Sequence, residues 1–373
     1  MSSGPPRTGP NSLSSLSGRW VPVNLNVQPR GQISHRSPGR GLMGGMTGRV
    51  LFLGGTGVIS SGSVALAAQR GWEVTVLNRG QSTVRPVPDG VELISADVRE
   101  PGAINAAIGD RHFDAVCDFL SFTPGQVTQT LSQVEGRTNQ YVFISSASAY
   151  QKPTGVLPIR EGTPLSNPFW QYSRDKAACE RYLFDRRERD GLPITVVRPS
   201  HTYDQTMTIL GGRHANVRRL LRGDEVVIHG DGTSLWTLTH TTDFAKGFVG
   251  LLGNASAIGI AVHITSDEWL TWDHIAREMA RAAGVEARIV HVPSDAIAAL
   301  DKDWGDTLIG DKSNNTIFDN SLIKRLVPDF ICTTPFSAGA REIAAYYTSH
   351  TEPQPKEDAT EAIIAQLLER YRV

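Results

Sequence analysis

The sequence predicts an α/β fold in which a doubly wound parallel sheet carries helices on both faces and a smaller C-terminal lobe follows. From residue 46 onward, short runs rich in β-branched residues alternate with helix-like stretches, a pattern typical of parallel βα units. Most of these runs are apolar almost throughout, which indicates strands buried on both faces. The chain has 373 residues, enough for a sizeable core and two lobes.

The predicted elements follow the chain in a regular order up to residue 198. The strands are Arg49–Leu53, Glu73–Leu77, Val91–Ser95, Asp114–Asp118, Gln140–Ser145 and Pro193–Arg198, with helices at Val58–Arg70, Gln126–Val134 and Trp170–Arg189. Beyond that point the alternation loosens. The later helices are Arg213–Arg222, Thr242–Leu252, Thr271–Ala283, Asn320–Leu326, Pro335–Tyr347 and Ala359–Tyr371, with strands at Ala261–Thr265 and Arg288–Val292.

The first 45 residues differ from the rest of the chain. They contain 8 Gly, 6 Pro, 8 Ser and five arginines but no acidic residue, so the remaining 328 residues carry a net charge of −6. A segment of this composition buries too little apolar surface to offset its chain entropy, and we expect it to be disordered. The favoured interpretation is that translation starts at Met43 or Met46, and the alternative is an organellar transit peptide.

Composition also limits the class of protein. A net charge of −1 argues against nonspecific binding to nucleic acid or to a membrane surface as the main role. No apolar run reaches the roughly 18 residues that a membrane-spanning helix requires. Cys117, Cys179 and Cys332 are far apart and form no CxxC pair, so we expect no disulfide, no metal site and a cytoplasmic location.

A glycine-rich turn directly follows the first predicted strand. The segment Gly54, Gly55, Thr56, Gly57, Val58 and Ile59 leads into a predicted helix, with Ser60 where a third glycine is usual. Glycines allow a tight turn, and the backbone N–H groups at the helix N-terminus can approach the pyrophosphate of a dinucleotide. The position of this turn within a βαβ unit therefore predicts a dinucleotide site, and we expect all six residues to contact the cofactor.

The residues after the second and third strands bear on the choice between NAD and NADP. An acidic residue commonly follows the second strand and binds the adenosine ribose, but here that place holds Asn78, followed by Arg79. A missing carboxylate and a nearby guanidinium both favour a 2′-phosphate, so the cofactor is NAD or NADP with NADP slightly favoured. Asp97 and Val98, just past the third strand, are expected to contact the adenine.

Three side chains form a candidate catalytic set. Tyr172 and Lys176 are four residues apart on a predicted helix and therefore share a face. An ammonium group beside a phenol lowers the pKa of the phenol, so that it can exchange a proton with a substrate hydroxyl near neutral pH. Ser146 lies at the end of the fifth predicted strand, from which its hydroxyl can bind the same substrate oxygen.

In combination and order, Gly54–Gly57, Ser146, Tyr172 and Lys176 resemble the short-chain dehydrogenase/reductase superfamily in its extended, NAD-dependent epimerase/dehydratase form. The resemblance spans roughly residues 49–347. It implies Tyr172 as the acid/base, Lys176 as the group that holds the nicotinamide ribose, and Ser146 as the group that positions the reacting oxygen. It also implies a Rossmann-type sheet and a homodimer formed through the two helices that include Gln126–Val134 and Trp170–Arg189.

The same resemblance divides the chain into four predicted segments. A disordered leader covers residues 1–45, and the dinucleotide-binding Rossmann domain covers 46–198. A substrate lobe covers 199–350, within which residues at about 240–265 return to the Rossmann domain. A linker and a C-terminal helix cover 351–373.

Departures from the family pattern concern the substrate. Ala147 and Ser148 replace the Asp-Glu pair of the 4,6-dehydratases, and Trp236 stands where nucleotide-sugar enzymes carry an arginine for the diphosphate. A second family arginine is missing, with Leu308 and Ile309 in its place. A buried pyrophosphate without cationic partners is costly. Lys312, Arg213 and His214 are the alternatives that could replace the two arginines, but a substrate without a diphosphate is the simpler hypothesis. We therefore expect a sugar-like substrate without a diphosphate, stacked on Trp236.

The remaining predicted substrate contacts are Ser148, Ser200 and His201, which lie at or just beyond the ends of two strands. His201 is a possible second acid/base, since an unperturbed histidine has a pKa of about 6.5. The favoured function is redox-neutral epimerisation or dehydration at a secondary alcohol of a sugar or nucleoside.

Three alternatives remain open. They are a net NADP-dependent dehydrogenase or reductase, a nucleotide-sugar 4-epimerase, and a non-enzymatic RNA-binding member of the family. The last would require a basic face, for which the candidate residues are Arg213, Arg218, Arg219 and Arg222.

Overall fold

The structure is a computed structural model, and it describes residues 48–81, 83–352 and 354–372. The predicted leader and the proposed starts at Met43 and Met46 lie outside the described residues. The strands are β1 (Arg49–Leu53), β2 (Glu73–Asn78), β3 (Glu92–Ser95), β4 (Ala115–Asp118), β5 (Tyr141–Ile144), β6 (Ile194–Pro199), β7 (His201–Tyr203), β8 (Glu225–His229), β9 (Leu235–Trp236), β10 (Leu238–His240), β11 (Ile260–Ile264), β12 (Leu270–Thr271) and β13 (Arg288–Val292).

The helices connect these strands and cover them. They are α1 (Val58–Gln69), α2 (Ala103–Ile108), α3 (Pro124–Val134), α4 (Gln171–Asp190), α5 (Arg213–Leu221), α6 (Thr241–Leu251), α7 (Trp272–Ala282), α8 (Ser294–Leu300), α9 (Lys302–Thr307), α10 (Ser321–Leu326), α11 (Phe336–Ser349) and α12 (Glu357–Tyr371). A π-helical turn, Leu308–Lys312, follows α9. None of the helices in the described part of the chain is long and apolar enough to cross a membrane.

The central sheet has seven parallel strands in the order β11-β6-β5-β4-β1-β2-β3. The order reverses direction beside β1, which creates the crevice in which doubly wound folds bind ligands. The predicted α/β fold of the Rossmann type is therefore confirmed. The seventh strand, β11, comes from residues 260–264 and pairs with β6, so a late segment of the chain completes the sheet.

The side chains of β1 alternate between two apolar cores, one on each face of the sheet. Val50 and Phe52 belong to one apolar core, which also includes residues of α1 and α6. Leu51 and Leu53 belong to a second core, on the other face, which includes residues of α2, α3 and α4. All four side chains are at most 1% exposed, so both faces of the strand are buried and apolar residues are needed at every position.

Several short elements were not predicted from the pattern, among them α2 and the π-helical turn. Helix α2 has six residues between Gly102 and Gly109, too short to show a helical period. Its first turn is held by the side chain of Gln133 on α3, whose Oε1 accepts a hydrogen bond from the backbone N–H of Ile104 (3.0 Å). The π-helical turn at Leu308–Lys312 likewise has no sequence period of its own.

The C-terminal lobe is built around a third core, which includes residues of α5, α7 and α11. Its strands form short two-stranded sheets, in which β7 pairs with β10, β8 with β13 and β9 with β12. The helix predicted over Ala359–Tyr371 is confirmed as α12, which packs against α5 through buried Ile364 and Leu367. The lobe therefore places β7, β9 and the π-helical turn beside the carboxyl ends of the sheet strands.

A buried ion pair joins α4 to the sheet. The guanidinium of Arg198 on β6 donates to both carboxylate oxygens of Glu180 on α4, with a shortest distance of 2.6 Å. Both side chains are almost fully buried. The hydroxyl of Ser145, at the end of β5, donates to the same carboxylate, and Arg198 also donates to the Tyr150 hydroxyl over 3.1 Å. The pair therefore sets the position of α4 against the ends of β5 and β6.

We predict that Arg198→Met destabilises the protein by about 3–5 kcal/mol, because the Glu180 carboxylate stays buried without its partner. Denaturant unfolding monitored by circular dichroism measures this. Lys302→Met is the matched control, since the Lys302–Asp306 pair on α9 is largely exposed and its loss should cost at most about 1 kcal/mol. Equal losses of stability in the two variants would contradict the assignment.

Candidate active site

The glycine turn between β1 and α1 depends on close backbone approaches. Gly54 has φ +85°, and a Cβ there would lie 2.8 Å from the Leu120 side chain. A Cβ on Gly55 would lie 2.7 Å from the methyl groups of Val76 on β2. Only glycine fits at these two positions. The hydroxyl of Ser60, in place of the third glycine, is buried and accepts a hydrogen bond from the Gly57 N–H (3.0 Å).

A cavity of about 650 Å³ opens above this turn. Its walls contain most of the predicted cofactor residues, namely Gly54, Thr56, Gly57, Val58, Ile59, Asn78, Arg79, Asp97, Val98, Tyr172 and Lys176. Gly55 was also predicted to contact the cofactor, but it is not among the lining residues, because it packs against β2 beneath the turn. Lining residues that the sequence did not single out include Arg99, Phe122 and Gln126.

One end of this cavity is rich in guanidinium groups. The side chain of Asn78 donates to Thr56 Oγ1 (3.3 Å) and accepts from the Gly80 N–H (2.7 Å). Arg79 lines the cavity beside it. The carboxylate of Asp97 binds Arg99 through two hydrogen bonds of 3.0 and 2.6 Å, which lower the pKa of Asp97 to about 2. Because the Asp97 carboxylate binds Arg99, Arg99 competes with the adenine amino group for the same carboxylate oxygens.

The other end of the cavity holds Tyr172 and Lys176, which α4 places one turn apart. Lys176 is buried, and its Nζ donates to the backbone carbonyls of Ser121 (2.8 Å) and Ile144 (2.7 Å). These two bonds leave one ammonium hydrogen for a further acceptor. Nζ also lies 4.5 Å from the centre of the Phe122 ring, a cation–π contact.

The hydroxyls near Tyr172 form a short chain. Ser146 caps a 3-10 turn at Ala147–Ala149, and its Oγ lies 2.9 Å from Ser148 Oγ. The hydroxyl of Ser173 on α4 donates to Ser148 Oγ over 3.1 Å. The structure thus brings Ser146, Tyr172 and Lys176 together where the two lobes meet.

Burial dominates the protonation of the pair on α4. Desolvation raises the pKa of the Tyr172 phenol, and the hydrogen bond with Ser146 opposes this shift. Desolvation lowers the pKa of Lys176 to about 8, and the negative charge of Asp118 opposes it. The expected lowering of the Tyr172 pKa is not found, because burial acts against the phenolate and the Lys176 ammonium lies 6.0 Å from the ring centre. Tyr172 is therefore protonated at neutral pH.

Asp118, at the end of β4, positions the loop that holds Lys176. It is 1% exposed and accepts hydrogen bonds from the Tyr141 hydroxyl (2.5 Å) and from the backbone N–H groups of Leu120 (2.9 Å) and Ser121 (3.0 Å). The Ser121 carbonyl is one of the two acceptors of Lys176. Asp118 acts on Lys176 through this loop and through its charge, and so is a positioning residue.

A second cavity, of about 290 Å³, lies between the sheet edge and the C-terminal lobe. It contains the predicted substrate residues Ser148, Ser200, His201 and Trp236 together with Ser146 and Tyr172. Tyr172 and Ile59 line both cavities, so the two spaces meet at the phenol. Residues not predicted as substrate contacts include Met207, Thr237, Asp311, Thr316 and Phe318, and Lys312, one of the alternative cations, also lines the cavity.

His201 and Trp236 interact directly in this cavity. Trp236 Nε1 donates to His201 Nδ1 (3.0 Å), so the hydrogen of the neutral imidazole lies on Nε2. Burial lowers the pKa of His201 to about 3, and the nearby charge of Lys312 adds to this shift. His201 is therefore neutral at pH 7, with its Nε2–H available as a hydrogen-bond donor. Trp236 is 4% exposed and packs against Trp272, which leaves little ring surface for the predicted stacking.

The sheet order, the glycine turn and the Ser146, Tyr172 and Lys176 set define a Rossmann-fold enzyme of the extended short-chain dehydrogenase/reductase type. The chain belongs to the NAD dependent epimerase/dehydratase family, whose model matches residues 50–264, more than half of the chain.

Relatives by sequence include proteins with different roles. A 2'-dehydrokanamycin reductase from Streptomyces kanamyceticus is 29% identical over 287 residues, which cover 76% of this chain and 80% of the relative. The chloroplast stem-loop binding protein of 41 kDa b from Arabidopsis thaliana is 24% identical and covers 75% of each chain. A UDP-N-acetyl-alpha-D-glucosaminuronate decarboxylase from Bacillus cytotoxicus is 22% identical, covering 68% of this chain and 85% of the relative.

Two solved structures with the same fold are less similar in sequence to this chain than these three relatives. An epimerase from Methanothermobacter thermautotrophicus superposes with a TM-score of 0.68 at 17% identity, covering 85% of this chain and 95% of its own. A UDP-glucuronic acid 4-epimerase from Bacillus cereus, solved with NAD, has a TM-score of 0.65 at 17% identity, and the match covers 81% of this chain and 99% of that chain. At these identities the similarity extends to the fold.

We predict that Asp118→Asn moves the alkaline limb of the kcat/KM profile to lower pH. The Asp118 charge favours the cationic form of Lys176, so its removal lowers the Lys176 pKa further below its present value of about 8. The profile is measured between pH 6 and 10, a range chosen to bracket that value. Asp175→Asn, on the same helix, is the control, because Asp175 is not among the charges that shift the Lys176 pKa. An unchanged limb in Asp118→Asn would refute the role of Asp118.

Proposed function

We propose that this protein is an NADP-dependent oxidoreductase that reduces a ketone, or in reverse oxidises a secondary alcohol, of a sugar-like substrate without a diphosphate. The observation that carries the proposal is the meeting of two cavities at Tyr172. The larger contains the glycine turn and guanidinium groups, and the smaller is lined by hydroxyl, imidazole and ammonium side chains. We therefore place net reduction ahead of the redox-neutral reaction that the sequence favoured.

The residues of the larger cavity fit a nicotinamide dinucleotide. A side chain at Gly54 would meet Leu120, so the glycine backbone keeps open the space that a pyrophosphate needs at the N-terminus of α1. Arg79 and Arg99 line the cavity where the adenosine ribose is expected, and Lys176 lies at the opposite end for the nicotinamide ribose. When bound, the cofactor supplies or accepts the hydride.

Proton transfer is assigned to Tyr172. Burial keeps its phenol protonated at neutral pH, so that it can donate a proton to the oxygen of a ketone as that oxygen gains negative charge. Ser146, hydrogen-bonded to Tyr172, is placed to orient the same oxygen. The chain of hydroxyls through Ser148 and Ser173 holds Ser146 in place.

Net reduction is favoured over dehydration because the substrate cavity offers few free bases. Ala147 and Ser148 stand where dehydratases carry an Asp-Glu pair, and His201 is held neutral by burial and by the Trp236 N–H. Asp311 lines the cavity but pairs with Lys152 over 3.0 Å. The similarity to a reductase from Streptomyces kanamyceticus supports the same direction. Redox-neutral epimerisation remains the second candidate, since the family match favours it.

The substrate cavity also supports the absence of a diphosphate. Among the described residues that line it there is no arginine, and Trp236 uses its N–H to bind His201. A volume of about 290 Å³ is at the lower limit of small-molecule sites, enough for one sugar ring with a small substituent.

The RNA-binding alternative is weakened by the pairing of the basic cluster. Arg213, Arg218, Arg219 and Arg222 each lie within 4.0 Å of a carboxylate, from Asp303, Glu357, Glu361 and Asp224 respectively. A neutralised cluster offers little attraction to phosphates. The similarity to a stem-loop binding protein from Arabidopsis thaliana is the reason to test this alternative. Filter binding to structured RNA at physiological salt is the experiment.

We predict that Tyr172→Phe lowers kcat by roughly 100- to 10,000-fold, because the substitution removes the proton donor. NADPH oxidation at 340 nm with a panel of keto sugars measures the rate, and fluorescence titration should show unchanged NADPH binding. Tyr182→Phe on the outer part of α4 is the control, and it should retain full activity. Isomerisation of a sugar by enzyme with tightly retained cofactor, without NADPH consumption, would instead establish the redox-neutral reaction.

We predict that Arg79→Ala weakens NADPH binding by roughly 10- to 100-fold, the effect of losing a charge-assisted hydrogen bond, and that Arg99→Ala has a smaller effect because Asp97 already pairs with Arg99. Binding of NADH should change much less, since it has no 2′-phosphate. Arg111→Ala serves as the control, because Arg111 pairs with Glu92 away from the cavity. Equal losses for NADPH and NADH would refute the proposed preference for NADP.

A further inference from the structure

The π-helical turn at Leu308–Lys312 projects two charged residues, Asp311 and Lys312, into the wall of the substrate cavity. Single π-helical turns occur often at functional sites. Three side chains donate to the Lys312 backbone carbonyl, namely His229 Nε2 (3.2 Å), Ser234 Oγ (3.0 Å) and Trp272 Nε1 (3.1 Å). Three side-chain hydrogen bonds therefore fix the backbone of Lys312.

The turn is held from its other side as well. Asn167 Nδ2 donates to the Gly310 carbonyl (2.7 Å), and the same amide group donates to the Ser148 carbonyl (2.8 Å). A Cβ on Gly310 would lie 2.6 Å from the side chain of Trp170, so the turn packs closely against the start of α4. These contacts tie Lys312 to the segments that carry Ser148 and Tyr172.

The charges in the cavity do not cancel. Asp311 lies 3.0 Å from the ammonium of Lys152, whose side chain is fully buried. This pair is neutral. Within the described part of the chain, no carboxylate lies within 4.0 Å of Lys312 Nζ, and no hydrogen-bond acceptor is assigned to it. His201 is neutral, so the cavity carries one cationic charge without a partner.

Lys312 is partly buried, and an ammonium that loses part of its hydration without gaining a carboxylate partner is unfavourable for the protein alone. Burial lowers the pKa of Lys312, and Asp311 opposes this shift. A methionine of similar length would avoid the desolvation cost. The charge is thus useful to the protein chiefly when a negatively charged group enters the cavity.

We propose that Lys312 binds a single anionic group of the substrate, so that the substrate is a sugar acid or a sugar monophosphate. This inference rests on the proposed function, whose substrate class it narrows. His201 Nε2–H, in the same cavity, is the second donor to this group. A nucleotide diphosphate is a different ligand, for which the cavity has neither a guanidinium among its described lining residues nor the volume.

The test compares binding of four sugars with matched rings to NADP-loaded enzyme by calorimetry. They are glucose, glucosamine, glucuronate and glucose 6-phosphate, which are neutral, cationic and, in the last two, anionic. We expect glucuronate or glucose 6-phosphate to bind roughly 10- to 100-fold more tightly than glucose, and glucosamine to bind most weakly. The stronger of the two anions identifies a carboxylate or a phosphate as the group.

Lys312→Met should abolish the preference for the anion and leave glucose and NADP binding unchanged. Lys312→Arg should retain much of it, and Lys324→Met, which removes an exposed lysine paired with Asp267, should have no effect. Thermal unfolding confirms that the variants fold. A preference that survives in Lys312→Met, tighter binding of glucosamine or glucose, or no anion binding below about 10 mM would overturn the assignment.

The two proposals fail in distinguishable ways. If an anionic sugar binds through Lys312 but no sugar supports NADPH turnover, the oxidoreductase proposal fails and the anion site stands. If keto sugars are reduced with NADPH but wild type shows no preference for anionic over neutral sugars, or Lys312→Met keeps the same preference, the anion site fails and the oxidoreductase proposal stands.

Discussion

The site depends on one buried carboxylate, that of Glu180. Arg198 from β6 and Ser145 from the end of β5 both bind it, so a single group fixes helix α4 against two strand ends. Lys176 and Tyr172 lie one and two turns earlier on the same helix, and Ser146 directly follows Ser145. Because the ion pair is almost fully buried, its geometry is costly to alter. The relative position of the phenol, the ammonium and the serine hydroxyl follows from it.

The two cavities differ in how they handle charge. In the larger one, Lys176 is stabilised as a cation by two carbonyls and by the Asp118 charge, despite its burial. In the smaller one, Lys312 has no carboxylate within 4.0 Å among the described residues. Under the proposed function, Lys176 contacts the cofactor and Lys312 contacts the substrate. Tyr172, which borders both spaces, connects the two.

The glycine turn and the YxxxK pair could be located from the sequence, because their chemistry depends on residues that are close along the chain. A glycine at positive φ and two residues four apart on a helix are local constraints. A contact of Gly55 with the cofactor stays a prediction, and the structure adds that Gly55 packs against Val76 on β2, across the sheet. Arg99 was not predicted as a contact, although it directly follows Asp97 and Val98. The sequence offered Lys312 only as a possible partner of a diphosphate, because its position in the wall of the smaller cavity depends on contacts between distant segments.

The sequence by itself determined the α/β class and located the glycine turn and the candidate catalytic set, since periodicity and short spacings encode them. Only the tertiary structure decided the electrostatics. Burial raises the pKa of Tyr172, and the Trp236 N–H with burial keeps His201 neutral. Folding also pairs Arg213, Arg218, Arg219 and Arg222 with carboxylates. Lys312, in contrast, lines the smaller cavity without a carboxylate within 4.0 Å among the described residues. Desolvation and long-range pairing depend on which residues meet in three dimensions, and no local pattern contains that information.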